Sequence, residues 1–432
     1  MGSATMLKDE LKRIILENQE RMPFGLFARR IETLRATRQI HAVVGLRRAG
    51  KTFFLYQIIN ESLASGVPRE GILLVNFEDE RLAGLSAERL GMVLDAYYEL
   101  FPGRVRDEVH VFLDEVQVVP GWERFVARIF EEKRYRVVLT GSSSKLLSKE
   151  IATSLRGRSV ATHIYPLSFA EFAAYRGLEA SGHTAFSRER HRAIALLESY
   201  LAWGGFFEVQ DAHDDAERRR IVTTYVDLVV YKDLVERYSV KNLAAMKALI
   251  RYFVTNATRK ASLTRLAATL GAGPVSKNTI LQYASFLEDA NVIYSCPKFS
   301  YKLRQGNTPS KFYLADPSFK TVAGANFSAD RGPFFENAVY VELRRRGFEV
   351  SFFEEAVECD FIAKSGTKVV GAYQVCVDPE RAGDRELRGL RAALDAFGLD
   401  RGTIVTADED REETLDGQSI RYIPLWRWLL DV

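Results

Sequence analysis

Cysteine is scarce in this chain of 432 residues: Cys296, Cys359 and Cys376 stand far apart, with no Cys-x-x-Cys pair and no histidine beside them. That spacing excludes a disulfide framework and a zinc site, and makes a reducing compartment the expectation. No apolar run approaches the roughly 18 residues that a membrane helix needs, so no membrane partner is expected. The N-terminus carries no apolar stretch like that of a secretory signal, and Met1 to Met6 reads as an expression scar, so a cytoplasmic location is expected. Neither sign of charge dominates, since 60 Lys and Arg against 57 Asp and Glu leave a net +3. A hydrophobic share of 47% excludes a disordered chain, and the length exceeds what one core organises, so two or three domains are expected.

What is present begins with Gly45 to Thr52, GLRRAGKT, which fits G-x-x-x-x-G-K-[ST] at every fixed position. The apolar run Ile40 to Val44 before it predicts a strand, and Lys51 onward predicts a helix to about Ser65. A loop between strand and helix points its N–H groups, and the open end of the helix, at an anion. Gly45, Arg48, Ala49, Gly50, Lys51, Thr52 and Phe53 are the candidate nucleotide-binding residues. Lys51 would reach the phosphates and the Thr52 hydroxyl would ligate Mg²⁺.

Apolar runs alternate with helical patterns as far as Tyr165, which predicts a parallel sheet covered on both faces. The strand His110 to Leu113 ends in Asp114-Glu115, an acid pair resembling a Walker B element. Asp114 would hold the metal ion and Glu115 would polarise the attacking water. At the end of the strand Arg136 to Thr140, the hydroxyls of Thr140 and Ser142 are candidate sensors of the terminal phosphate; helix capping is their other reading. Arg156 and Arg158, in LRGR, are candidate arginine fingers acting across a subunit interface, or else a solvated pair.

These motifs in this order, with Tyr165 to Phe172 reading YPLSFAEF, resemble the prokaryotic AAA-type ATPases whose C-terminal half is the domain DUF4143. The resemblance covers nearly the whole chain. It implies ATP and Mg²⁺ as cofactors and a central strand order of 5-1-4-3-2.

Beyond the core the charge divides. Residues 251–320 carry ten Lys and Arg against three acids, and residues 321–432 carry 14 against 21, so a basic module precedes an acidic one. A broken helix near 261–271, a helix from Lys277 to Asp289 capped by Ser276, and two β-type runs outline a winged helix-turn-helix. Lys277, Asn278, Thr279, Gln282 and Tyr283 would face DNA from its recognition helix, with Lys298, Lys302, Arg304 and Lys311 on the wing. A lid or protein-docking role is the other reading of that module. Further on, Glu336, Asp360 and Gln374 match three positions of the PD-(D/E)xK nuclease core. Cys376 stands where its lysine belongs, so the domain reads as nuclease-like in fold and inactive.

The expected architecture is therefore α/β: a P-loop AAA-type parallel-sheet domain, a winged helix-turn-helix and a PD-(D/E)xK nuclease-like α/β domain. Its expected bounds are a helical lead-in at 7–38, an ATPase core at 39–175, a helical lid or connector at 176–250, a winged helix at 251–320 and the nuclease-like domain at 321–432. The expected function is ATP hydrolysis coupled to remodelling of, or translocation along, DNA. The DNA would be selected by structure rather than sequence, branched forms such as Holliday junctions included. The active form would be a homo-oligomer, with a hexameric ring the simplest. The alternative is a nucleotide-dependent signalling or defence switch acting through protein partners.

Overall fold

Ile40–Gly45 (β1) is buried at every residue, a pattern that only a strand covered on both faces can hold. The computed structural model describes residues 2–33, 39–141, 159–184, 188–261, 266, 276–300, 310–323 and 330–431. It divides into two compact units, Met1–Ile164 and Tyr165–Val432.

In the first unit, Gly2–Glu20 (α1) precedes β1, and Lys51–Ala64 (α2) follows it. Then come Ile72–Asn76 (β2), Gly91–Leu100 (α3), Val109–Asp114 (β3), Trp122–Glu131 (α4), Tyr135–Gly141 (β4) and Ser159–Ile164 (β5). The sheet order is β2-β3-β4-β1-β5 with every pair parallel, which is the expected 5-1-4-3-2. Val43 lies opposite Thr140 and Asn76 opposite Asp114, so the carboxyl ends of β1, β3 and β4 line up side by side. Ligands of open α/β sheets bind outside such ends. The sequence left the lead-in without a role. In the fold α1 packs Leu11, Ile14 and Ile15, at helical spacing, into the same core as Val93 and Tyr97, and Gln19 donates to the carbonyl of Ile72 at 3.1 Å.

The second unit opens with Phe169–Tyr175 (α5), Glu189–Trp203 (α6), Phe207–Asp211 (α7) and Asp215–Leu228 (α8), which runs on into a π-helical stretch, Val229–Glu236. Leu243–Thr255 (α9), Lys260–Ala261 (β6), Lys277–Asp289 (α10), Ile293–Pro297 (β7) and Ser310–Leu314 (β8) follow, with a three-stranded antiparallel sheet in the order β6-β8-β7. Ser318–Val322 (α11) and Gly332–Arg345 (α12) lead to Glu349–Glu354 (β9), Glu358–Ser365 (β10) and Lys368–Val375 (β11). Pro379–Ala382 (α13), Asp384–Phe397 (α14), Arg401–Thr406 (β12), Arg411–Leu415 (β13), Gln418–Pro424 (β14) and Leu425–Leu430 (α15) complete it. The last six strands form one mixed sheet, β13-β14-β12-β11-β10-β9, on which α14 packs Leu390, Ala393 and Leu394 against Ile362, Ala372 and Ile404. The expected connector, basic module and C-terminal domain all fall within this one unit.

His41 on β1 is buried, its Nε2 lies 2.7 Å from the Thr162 hydroxyl, and burial pushes its pKa down to about 4. A histidine depressed in the folded state stabilises the fold above its unfolded pKa, and that stability is lost as pH falls toward the folded value. Between pH 6.5 and 4 the first unit should therefore lose about 3 kcal/mol through this group alone. Urea titrations across that range should show a shallower loss in His41→Gln than in the wild type; parallel curves would refute the assignment.

Candidate functional site

The site starts where β1 ends. A Cβ on Gly45 would lie 2.1 Å from the Ile164 carbonyl oxygen on β5, so only glycine lets these strands close before the chain turns. Gly50, at φ 95°, ends the loop in the left-handed region and serves as the residue before α2. Arg48 between them also lies at positive φ, 66°.

Lys51 opens α2 and is only 4% exposed; its Nζ lies 3.5 Å from Glu115 Oε1 and 3.4 Å from the Leu46 carbonyl. The Thr52 hydroxyl donates to Asp114 Oδ2 at 2.9 Å, and the Thr140 hydroxyl donates to Asp114 Oδ1 at 2.5 Å. Thr140 Oγ1 in turn accepts the Glu115 N–H at 2.9 Å, and Gln117 donates to Glu115 Oε2. Thr140 thus spans both acids of the pair. Glu115 itself sits at φ 51°, left-handed backbone that strains a residue with a side chain. The ring of Phe53, 56% exposed, meets Tyr56 edge-on at 5.9 Å.

Burial, and then the neighbouring Glu115 charge, push the Asp114 carboxyl up to about 6 against the hydrogen bonds from Thr140 and Thr52. Burial would raise Glu115 too, but Lys51, Gln117 and Arg47 together hold it below its usual value. One acid of the pair is therefore short of positive charge, and it touches a hydroxyl of the residue after the lysine. A hydroxyl and an underneutralised carboxylate 2.9 Å apart suit a small hard cation, which takes few protein ligands and keeps its waters. Thr52 and Asp114 fit Mg²⁺ on those grounds.

In the second unit Ser276 caps α10, its hydroxyl accepting the Thr279 N–H at 3.1 Å, and Asn278 and Gln282 are exposed on that helix. Thr279 is half-buried with its hydroxyl 2.9 Å from that of Ser276, and Lys277 supplies the first helical backbone residue. Two expectations are corrected here. Tyr283 does not face outward: it is 5% exposed and its hydroxyl accepts the Asn242 N–H at 3.1 Å. Lys311 is not on a solvent-facing wing either. It is 5% exposed, and its ammonium lies 3.0 Å from Glu336, 2.7 Å from Glu358 and 3.0 Å from Asp360.

Glu336 on α12, Asp360 on β10 and Gln374 on β11 do come together, around that lysine. Asp360 Oδ2 also accepts the Val375 N–H at 3.1 Å, and Glu336 Oε1 accepts the Tyr313 hydroxyl at 2.7 Å. Gln374 Oε1 accepts the Asp360 N–H at 3.0 Å while its amide donates to Glu386. Cys376 is buried, and burial first pushes its thiol up to about 11, so it brings no charge. Burial would push Lys311 down, but Asp360, Glu336 and Glu358 outweigh it and raise the ammonium well above its usual value.

An uncharacterized protein of Methanocaldococcus jannaschii is 32% identical over 434 residues, which cover 97% of this chain and 95% of that protein. The chain belongs to that protein's family. Residues 37–173 match the family described as AAA domain, and residues 194–329 match a domain of unknown function, DUF8612, where the sequence resemblance implied DUF4143. An uncharacterized protein of Haemophilus influenzae is 27% identical over 392 residues, 90% of this chain and 94% of that protein. Among solved structures, the Walker-type ATPase paby2304 of Pyrococcus abyssi is similar at 15% identity over 74% of this chain and 95% of that one, with a TM-score of 0.42.

The AAA domain thus contains the phosphate loop, the acid pair and Thr140, brought to one edge of its sheet. Ser142, Arg156, Arg158, Lys302 and Arg304 lie outside the described residues. Sequence reading missed Lys311 as the partner of Glu336 and Asp360. A signal was present: in KFYL, residues 311 and 313 share one strand face, and both reach Glu336.

Removing one partner of a buried ion pair strands the other, at a cost of about 3–5 kcal/mol. Lys311→Met should lose that much in urea unfolding of the second unit. The double variant Lys311→Met with Glu336→Gln should recover part of it; equal stability of Lys311→Met and the wild type would refute the hub.

Proposed function

We propose that this protein is an ATP- and Mg²⁺-dependent ATPase whose second unit binds DNA, with hydrolysis coupled to remodelling of the DNA or movement along it. The observation that carries the nucleotide half is the constellation of Lys51, Thr52, Asp114, Glu115 and Thr140 at the carboxyl ends of β1, β3 and β4. Loop N–H groups and the N-terminus of α2 receive the phosphates. Lys51 neutralises charge there, and the swing from Glu115 toward a phosphate is short for a flexible side chain. Thr52 and Asp114 would hold the cation, which when bound would supply positive charge for phosphoryl transfer. Glu115, held ionised, accepts the hydrogen bond of the attacking water and aims it. Thr140 fixes both acids relative to β4, so a change at the phosphate is felt by that strand. Arg156 and Arg158 are proposed as fingers from a neighbouring copy in a homo-oligomer, and Ser142 as a sensor.

For the DNA half, the winged-helix reading is supported by α9, β6, α10 and the β7–β8 hairpin, with sheet order β6-β8-β7; of the broken helix expected near 261–271, only Ala261 and Leu266 are among the described residues. Asn278 and Gln282 are exposed on α10, where side chains of this length reach base edges or phosphates. Lys302 and Arg304 join them in the proposal. Backbone and shape recognition suit this set better than sequence readout.

One observation favours the second reading, a nucleotide switch with a protein partner. Part of the positive charge of residues 251–320 is taken up within its own unit: buried Lys311 meets three carboxylates, exposed Lys260 pairs with Glu354 and Glu358, and Lys320 is buried beside the Phe334 ring. The nuclease-like reading of the last sheet stays a reading of fold, with no cleavage proposed, because Cys376 stands where its lysine belongs and brings no charge.

Steady-state ATP hydrolysis with single-stranded, duplex and four-way-junction DNA at two salt concentrations separates the readings. Stimulation by one DNA form, lost at higher salt, is expected; a rate indifferent to every DNA would transfer the proposal to the switch. Lys51→Ala should abolish hydrolysis. Glu115→Gln should lower kcat by about 10²- to 10⁴-fold while leaving nucleotide affinity within a few fold; a wild-type rate in either variant would overturn the assignment of the site.

A further inference from the structure

Residues 21–33, after α1, run without regular structure along α2, held by side chains of that helix at positions 57, 60 and 61, which share one face. Asn60 accepts the Phe24 N–H at 2.9 Å and donates to the Phe24 carbonyl at 2.8 Å. Gln57 does the same for Arg29, accepting its N–H at 2.7 Å and donating to its carbonyl at 3.3 Å. Each amide thus replaces the ladder partner that an extended segment would otherwise lack. The Phe24 ring stacks on Tyr56 at 3.9 Å, and the Thr33 hydroxyl donates to Glu61 at 2.5 Å.

This strap delivers one side chain to the phosphate loop. Arg29 is 5% exposed, and its Nη1 donates to the Ala49 carbonyl at 3.1 Å. A Cβ added to Gly50 would lie 3.5 Å from that same nitrogen. We infer that Arg29 is a positioning residue of the phosphate loop, fixing the peptide between Ala49 and Gly50 for anion binding; the inference rests on the nucleotide reading of that loop.

The reasoning is geometric and electrostatic. In a trans peptide the C=O and the following N–H point in opposite directions. A guanidinium gripping the Ala49 carbonyl on the strap side turns the Gly50 N–H away from the strap. The same grip holds Gly50 at φ 95°, where an unheld glycine would sample both signs of φ. It also covers the negative end of that peptide dipole with a cation in a water-poor place, where charge is weakly screened. The reciprocal amide pairs fix the backbone of the strap, so little arginine freedom remains to be lost when a phosphate arrives.

Calorimetric titration of ATP and ADP into the full chain, beside thermal unfolding, tests this. Arg29→Ala should weaken both nucleotides by about 10- to 100-fold, as expected for loss of a hydrogen bond from a charged donor. Arg29→Lys, which keeps the charge and a donor, should recover most of that loss. Gln57→Ala, which loosens the strap and keeps Arg29, should weaken binding by a smaller factor. If Arg29→Ala does not fold, Arg29→Gln replaces it, with about tenfold weakening expected. Affinity within twofold of wild type in the Arg29 variants, whatever their melting temperature, overturns the inference. Lys51→Ala is the reference: if it abolishes binding while Arg29→Ala does not, only the role of Arg29 fails. A wild type that binds neither nucleotide overturns both the loop reading and this one.

Discussion

A carboxylate taken out of water must be met by positive charge or by donors, or its neutral form takes over. This chain buries acids in both of its units and meets them differently. At the edge of the first sheet Asp114 receives two hydroxyls, and its neighbour Glu115 receives the lysine. Asp114 is left raised to about 6, a carboxyl that gains from an added cation. In the second unit Glu336, Glu358 and Asp360 share one buried ammonium, and Asp360 and Glu336 take further protein donors. The first arrangement has room for an outside charge. The second supplies one ammonium for three carboxylates, and burial with the Asp360 charge leaves Glu336 raised to about 7. That lysine hub ties β8 to α12 and β10.

The first site was legible because its chemistry is local. A phosphate loop needs its glycines, lysine and hydroxyl within eight consecutive residues, and a parallel sheet follows once apolar runs alternate with helices, its strand order being what the resemblance implied. Thr140 could be named from its strand end, but not its bond to Asp114, because that depends on the register between β3 and β4. Lys311 and Arg29 were illegible for a related reason. Lys311 lies 49 residues from Asp360 and Arg29 lies 20 from Ala49, and no periodicity links either pair. Counting charge along the chain placed Lys311 in a basic module, and the fold turned it inward against an acidic one. The opposite signs of residues 251–320 and 321–432 are in part the trace of that internal pairing.

This bears on how much a charge count says about nucleic acid. Binding to phosphates scales with the cations free to release counterions. Lys260, Lys298 and Lys311 lie within ion-pair distance of acids in the same unit, and Lys320 is buried. Among the described side chains of α10, those exposed are uncharged, Asn278 and Gln282 beside Leu281. Such side chains gain little from long-range attraction and recognise shape at contact; a steep salt dependence would draw on Arg251 and Arg259, both exposed, and on Lys277, Lys302 and Arg304.

Where the nucleotide acts on the rest of the chain is narrowed by the same bonding pattern. Thr140 bonds Asp114 through its hydroxyl and the Glu115 backbone through its oxygen, so any shift of the acid pair on cation binding must move the end of β4 or break one of these bonds. Breaking the bond to a buried carboxylate costs about 1–3 kcal/mol, and displacing the end of β4 works against its ladders to β1 and β3. A sensor need not touch the phosphate: Thr140 can report on it through the acids that would hold the cation and the attacking water.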